Sequence, residues 1–443
     1  MHTPRSFVFA CLALLFTAGF SGKASATSNT AAGLCSAGGN HYTTIQAAVN
    51  AAELLPTPRI VRVCPGTYPE QVLITGSLTL EGVSSGNSGA AIITAPVGGM
   101  VANATSTYGG PAIEAQVLVQ NTTATVQDLT MDASGSNLES LGCAGYPIGI
   151  FYQNASGTIT RNSVINDILS ATADGGLTGC QSGLGIYIES GATSGPPNPS
   201  VAGTSTVTVS YNNVANYQKN GITGNATGTD VTISDNVVVG QGPWNGAGQN
   251  SIQIAFGATG SVKGNTVGSD VWAPDVFGDT GDAAAGILVG YGSENIVIST
   301  NQVSNTQYGI AVEGYTGDGA GDGAMVTGNT ITLTHLYDAI ELCANNATAT
   351  GNKITGADES GIHIDDTCFG AATGNTVSSN TISATCAGVL SGPNASGNTV
   401  GTNTYYNTVT HSMTGSDTCT PSATSAIAKR VAKHHLRLSP AKP

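Results

Sequence analysis

Four side chains in this sequence have the types and spacing to act on one substrate: Glu313, Glu341, His363 and Asp365. Each lies one or three places after an isoleucine (Ile310, Ile340 or Ile362) in a short Gly-Ile-x-Val-like segment. In an extended strand successive side chains alternate between faces, so if the isoleucines turn inward these four share the outward face. The pattern predicts that this face meets solvent. Glu341 and His363 should be direct neighbours on adjacent strands, with Asp365 one strand and two residues from Glu341, about 8 Å between backbones. Side chains can close that gap to the separations used by retaining or inverting glycosidases. In such chemistry Glu341 is the acid, its pKa raised by neighbouring carboxylates. Asp365 is base or nucleophile, and His363 orients its neighbours or shuttles a proton. Asp366 at the edge, and Tyr187 and Gln253 at matching places in earlier strands, are candidate substrate contacts. Any acidic repeat surface groups some polar residues together, so a non-catalytic binding or structural face is the competing reading.

The elements that must position these residues are repeats. Nine Gly-Ile-x-Val-like segments begin at Ile150, Ile186, Ile222, Ile252, Ile287, Ile310, Ile340, Ile362 and Val389, 22 to 36 residues apart. A second mark is an Asn close to small and apolar residues: Asn162, Asn212, Asn236, Asn265, Asn301, Asn329, Asn352, Asn380 and Asn403. Units this short, β-branched and without helical periodicity, cannot bury an apolar face alone and must stack on their neighbours. The expected architecture is all-β, a single-domain parallel β-helix. Rungs about 4.8 Å apart place like residue over like, so the inward Asn residues should form a hydrogen-bonded ladder.

The first 26 residues carry Arg5, an apolar run from Phe7 to Phe20 and Ala24-Ser25-Ala26, which is the pattern of a secretory signal. Residues 27–420 are then the β-helix and 421–443 a basic tail expected to be disordered. The segment Thr44 to Glu53, with Ile45, Ala48, Val49 and Ala52 at helical spacing, is expected to be a helix closing the N-terminal end of the core. No segment after the signal is apolar enough to span a membrane, so a secreted, periplasmic or cell-surface protein is expected.

Removing Cys11 with the signal leaves eight cysteines: Cys35, Cys64, Cys143, Cys180, Cys343, Cys368, Cys386 and Cys419. An even number suits disulfides in an oxidising compartment, and the spacings match no zinc signature. Cys143 and Cys180 fall just before adjacent isoleucine marks, and Cys343 and Cys368 just after two others, which predicts those two pairs. Elimination leaves Cys35 with Cys64 and Cys386 with Cys419.

The formal net charge of −14 understates the body. Between residues 27 and 428 six Lys and Arg face 27 Asp and Glu, a net −21. Nucleic acid is therefore excluded as a partner, because phosphate binding needs clustered positive charge. A polyanionic polysaccharide would need Ca²⁺ to neutralise it. Two acidic loops, Gly268 to Ala285 (Asp270, Asp275, Asp279, Asp282) and Gly314 to Ala324 (Asp318, Asp322), can wall a cleft over the outward face. Their Asp and Gly content is equally that of ordinary turns. Trp244 and Trp272 can stack on sugar rings or pack beneath loops.

Tyr42 to Ala52 (Tyr-Thr-Thr-Ile-Gln-Ala-Ala-Val-Asn-Ala-Ala), then Val63-Cys64-Pro65-Gly66-Thr67-Tyr68-Pro69-Glu70, then Leu78-Thr79-Leu80-Glu81-Gly82, resemble the opening of right-handed parallel β-helix proteins of the pectin-lyase-like superfamily. The resemblance implies a right-handed coil and saccharide binding in a groove over one sheet. It does not select a reaction. Pectin methylesterases share Gly-x-Tyr-x-Glu, but their Asp-Phe-Ile-Phe-Gly and Leu-Gly-Arg-Pro-Trp segments are missing. Of the polygalacturonase motifs only Asp365-Asp366 answers, and neither the Arg base of pectate lyases nor the Asp-Pro-His-Asp of alginate-acting relatives is present. Polysaccharide hydrolysis, calcium-assisted elimination and simple glycan binding all remain open.

Overall fold

The computed structural model describes residues 27–31, 40–83, 89–107, 112–169, 180–191, 203–244, 247–272, 282–314, 319–335, 337–368, 372–415 and 437–438. They wind into a parallel β-helix with three faces, formed by parallel sheets of 14 and 12 strands and a sheet of 13 in which all but one strand are parallel. All nine marks, eight isoleucines and Val389, stack in register on the 13-stranded sheet, Ile150 on Ile186 through to Ile362 on Val389. Together with the inward residues of the other two sheets they form one continuous apolar column.

Seven of the nine marks follow a glycine, and that glycine has a steric reason. A Cβ on Gly221 would come within 2.2 Å of Val238 Cγ1 and 2.7 Å of the Ser251 carbonyl oxygen on the next rung. On Gly361 it would meet Ile382 Cγ2 at 2.4 Å and the Gly388 oxygen at 2.8 Å. At those rungs a Cβ would crowd the neighbouring strand, whereas Ser251 and Ala339 hold the equivalent places before Ile252 and Ile340.

The asparagines form the expected ladder. Along the run from Asn162 to Asn403, each Oδ1 accepts both the backbone N–H and the side-chain N–H of the preceding Asn, at 2.9 to 3.1 Å. The chain turns sharply just before these residues: Asp235 and Thr300 adopt φ of 57° and 55°. That left-handed conformation is unfavourable for β-branched Thr. The buried ladder therefore satisfies backbone N–H groups just inside an exposed corner.

Near the N-terminus, Ile45–Glu53 is helical and buries Ile45, Ala48, Val49 and Ala52, as their spacing requires. Thr44 Oγ1 accepts from Ala47 N, and the Glu70 carboxylate accepts from Ile45 N and Gln46 N at 2.8 and 3.0 Å. Tyr68 donates its hydroxyl to the Cys64 carbonyl oxygen. The Gly-x-Tyr-x-Glu element thus ties the helix to the first rungs. Cys143 bonds Cys180 and Cys343 bonds Cys368, across Cα separations of 5.0 and 5.9 Å. Cys64 and Cys386 are also half-cystines, while Cys35 and Cys419 lie outside the described residues. So does most of the C-terminal tail, of which Arg437–Leu438 pairs with Asp282–Ala283.

One expectation is corrected. The residues alternating with the inward isoleucines do point away from the core column, but they do not face water. Every residue of Leu184–Glu189, Asn250–Ala255, Tyr308–Glu313 and Ser360–Ile364 is buried. Over the early rungs an antiparallel strand, Ala104–Thr105, and a second apolar cluster of Leu118, Tyr146, Phe151 and Tyr187 cover the sheet. Over later rungs a third cluster includes Leu288, Tyr291, Tyr308 and Tyr337.

The ladder generates a stability test. Asn301→Ala removes the acceptor of Asn265 N and Asn265 Nδ2 and leaves buried groups unpaired. It should destabilise by about 3 kcal/mol in urea melts, whereas Asn213→Ala, on an exposed strand position, should stay within about 0.5 kcal/mol. Equal midpoints for the two variants would remove the ladder as a source of stability.

Candidate functional site

Glu341 occupies the centre of the short strand Ile340–Leu342, paired with Ala311 on one side and His363 on the other. Glu313 ends the preceding strand, Tyr308–Glu313, and Asp365 follows Ser360–Ile364 on the next. The structure therefore brings together all four residues singled out from spacing. It places them under cover, each 3 to 5 % exposed.

Their surroundings differ. Tyr291 donates its hydroxyl to Glu313 Oε2 at 3.0 Å. Asp365 Oδ1 accepts both the backbone N–H and the hydroxyl of Thr367, at 2.8 and 2.7 Å. His363 Nδ1 lies 3.1 Å from Asp338 Oδ2, whose other oxygen accepts from Ser360 N and Oγ at 2.9 and 2.5 Å. Glu341 Oε2 has no hydrogen-bond partner. Burial, then the charges of Glu313, Asp365 and Asp338, push the Glu341 carboxyl well above its ordinary range. Burial chiefly pushes Glu313 up to about 8. Burial also acts to raise Asp365, but the His363 charge and the Thr367 hydrogen bonds outweigh it and hold this carboxyl below its ordinary value. Near neutral pH the cluster thus holds protonated acids beside an ionised carboxylate, the division of labour that acid–base chemistry requires.

Other expected contacts are not at this place. Tyr187 lies five rungs from Glu341, about 24 Å at strand spacing, and is stacked on Phe151 with ring centroids 5.0 Å apart. Gln253, three rungs away, is buried in an amide network, accepting from Asn220 Nδ2 and donating to Asn225 Oδ1. Asp366 is adjacent in sequence, but its Oδ2 accepts from Asn394 N. Spacing alone did not single out Asp338, although it sits two places before Ile340 as Ser360 does before Ile362, so the register contained that signal. Tyr308 and Tyr337, stacked at 4.6 Å beside the acids, come together only through folding.

The loop acids serve the fold where they are described. Asp322 accepts from Asn345 N at 2.8 Å. Asp270 is wholly buried and accepts from Tyr217 and Ser251 hydroxyls at 2.6 and 2.5 Å. Asp275, Asp279 and Asp318 lie outside the described residues, as does the Trp244 side chain, while Trp272 is buried. No helix among the described residues is long and apolar enough to cross a membrane.

One group of metal-ligating types converges among the described residues: Glu341, Cys343, Asp365 and Cys368, with one ligand atom of each within 4.8 Å of the others. Glu341 Oε1 lies 3.6 and 3.7 Å from the two sulfurs, and Asp365 Oδ2 lies 3.4 Å from Cys368 Sγ.

The family described as periplasmic copper-binding protein (NosD) matches residues 248–430, less than half of the chain. No curated protein matches the sequence. Among solved structures, the Dettilon tailspike protein superposes with a TM-score of 0.57 at 16% identity, covering 86% of this chain and 68% of that one. The GH136 lacto-N-biosidase from Eubacterium ramulus gives 0.54 at 12% identity, covering 83% of this chain and 65% of that chain. A C387A mutant of DFA-IIIase from Arthrobacter chlorophenolicus A6, in complex with DFA-III, gives 0.51 at 15% identity, covering 82% and 93%. These likenesses establish the parallel β-helix fold. Copper prefers thiolate or imidazole donors. With Cys343 and Cys368 joined in a disulfide the thiolates are not on offer, so the four converging residues do not fit copper in this state.

Asp270 supplies a pH test away from the cluster. Burial pushes its carboxyl up to about 8, against the opposing effect of hydrogen bonds and the Lys219 charge. The native state therefore holds this proton more tightly than the unfolded chain does. The stabilisation is complete below the ordinary value of 3.8 and is lost as pH rises toward about 8. Asp270→Asn should flatten that decline when urea midpoints are compared across this window; parallel pH profiles would contradict the assignment.

Proposed function

Because the chain is a parallel β-helix repeat protein with one covered sheet carrying acids of opposed character, we propose that it binds and cleaves a saccharide at Glu341 and Asp365. The observation that carries this reading is their opposite protonation on adjacent rungs, with carboxyl oxygens within 4.8 Å. Retaining glycosidases use carboxyl separations of about 5 Å, and inverting ones wider separations. On this reading Asp365 attacks the anomeric carbon while Glu341 gives its proton to the leaving oxygen. Glu341 then withdraws a proton from water to release the sugar. His363, fixed by Asp338, orients Asp365 through its charge, and burial beside the ionised Asp365 keeps Glu341 protonated.

Burial of the cluster favours a chain end or a small oligosaccharide over the middle of a long polymer. The acid-rich body favours a neutral sugar over a polyuronate. The structural neighbours whose names mention saccharide enzymes support the class of ligand, and the disulfides fit an oxidising, extracellular or periplasmic setting.

Glu341→Gln and Asp365→Asn should each lower turnover by at least about 100-fold. Glu341→Gln replaces one neutral buried group by another and should barely move the melting temperature. The assay is a panel of neutral and acidic oligosaccharides, followed by new reducing ends, by the absorbance of unsaturated uronates, and by the anomeric configuration of the product, with Ca²⁺ and with EDTA. Retained configuration is expected. Binding without turnover by parent and variants alike would make the protein a glycan-binding module instead.

A further inference from the structure

Asp167 lies two residues past Ile165 and Asp270 two past Gly268, and Ile165 and Gly268 share one column of the 12-stranded sheet through Ala215 and Val239. The two carboxyls therefore stand at the same corner, three rungs apart, and both are wholly buried. Their partners differ. Asp270 accepts from the hydroxyls of Tyr217 and Ser251, and Ser251 sits immediately before Ile252. The matching place for Asp167 is Gly149, immediately before Ile150 in the same column, which brings no hydroxyl. A Cβ on Gly149 would lie 3.2 Å from Asp167 Oδ2, so this carboxyl reaches toward Gly149 as Asp270 reaches toward Ser251. Neither of its oxygens has a hydrogen-bond partner.

Other orphaned oxygens gather at this corner. Gln116 shares the column of Gly149, one rung earlier. Its Nε2 donates to the Ile93 and Asp132 carbonyl oxygens at 3.2 and 2.9 Å, which fixes the amide at the corner and leaves Oε1 without a partner. Ser182 adjoins Gly183, whose Cβ would meet the Asp167 carbonyl oxygen at 2.4 Å, and its Oγ is without a partner too. Gln116 and Ser182 are 0 and 1 % exposed. Asp132, on the rung between Gln116 and Asp167, adds a second negative charge that acts on the Asp167 carboxyl. Leaving buried polar atoms bare is costly, and every orphan here is an oxygen with lone pairs to offer. What the set lacks is a positive centre.

We propose that Asp167, Gln116 and Ser182 form an internal calcium site, in which the ion joins the carboxylate to the amide and hydroxyl oxygens and ties the early rungs together. Calcium is a hard cation that accepts about six to eight oxygens from carboxylates, side-chain amides, backbone carbonyls and water in a flexible shell. Its two charges balance those of Asp167 and Asp132. Magnesium gives up its waters reluctantly, which disfavours it in a corner closed to solvent. A lone water has two protons for the four orphaned oxygens of Asp167, Gln116 and Ser182 and no charge to set against the carboxylate. Because the donors span three successive rungs, the ion enters as the chain folds and leaves when it opens. The site lies six rungs from Glu341 and does not rest on saccharide cleavage.

The test refolds the full chain from urea, disulfides intact, in Ca²⁺, in Mg²⁺ or in EDTA, and measures metal content after desalting. Protein refolded in calcium should keep one equivalent when EDTA is then added, release it on unfolding in urea, and show a higher urea midpoint than protein refolded in EDTA. Magnesium should give neither effect. Asp167→Asn keeps the shape of the side chain without its charge, and should lose both the equivalent and the calcium-dependent shift. Glu341→Gln should keep both. Calcium stripped from the folded parent as fast as EDTA is mixed in, or held undiminished by Asp167→Asn, would overturn the proposal. So would a parent that binds no calcium and melts alike in calcium and EDTA. The measurements on the parent need no variant, so poor folding of a substituted chain leaves the proposal open to refutation.

Discussion

Hydrogen-bonded stacking of each rung on the next, at the roughly 4.8 Å spacing of paired strands, is the constraint on which the rest of this molecule depends. It places like residue over like. Isoleucine over isoleucine becomes a continuous apolar column, and asparagine over asparagine becomes a chain of shared amides that satisfies the buried backbone just inside the corners. Glycine recurs where the rungs crowd most closely, because a Cβ there would enter the neighbouring strand. No rung could be stable alone, and each becomes so only by covering the one beneath it.

The same spacing is costly for charge. Carboxyls on consecutive rungs of a covered sheet repel one another and lose their water, so some must keep their protons. Burial alone does not mark a functional centre here. Asp167 is wholly buried with no partner for either oxygen and feels the charge of Asp132, which hydrogen bonds, outweighing burial, hold below its ordinary value, and Glu189 is held by Ser106 and Thr107. At Glu313, Glu341 and Asp365 the tendencies diverge, because Asp365 alone receives the Thr367 hydrogen bonds and the nearby His363 charge. The divergence, more than the number of acids, gives this cluster its chemical direction.

Sulfur and oxygen donors converge there for the same geometric reason. Cys343 lies two residues beyond Glu341 and Cys368 three beyond Asp365, so strand register that aligns Glu341 with His363 also carries both sulfurs to the carboxylates. A disulfide in this position fixes the two rungs and occupies the donors at once.

The sequence by itself determined what depends on period and register. The isoleucine and asparagine marks specified the stacking, the alignment of Glu341 with His363 and the two disulfides now seen, because in a parallel solenoid neighbours in space are neighbours in repeat. The helix at Ile45–Glu53 was equally legible from its apolar spacing. Tertiary structure alone decided what covers the sheet. The outward face was expected to meet solvent, since alternation says which way a side chain points and nothing about what lies above it. Burial of that face left Tyr187 stacked on Phe151 of the neighbouring rung, drew Gln253 into an amide network and, with the Thr367 and His363 contacts of Asp365, set Glu341 apart from Asp365 in protonation. Direction is local and written in the strand, whereas burial and the pKa values that follow from it belong to the assembled whole.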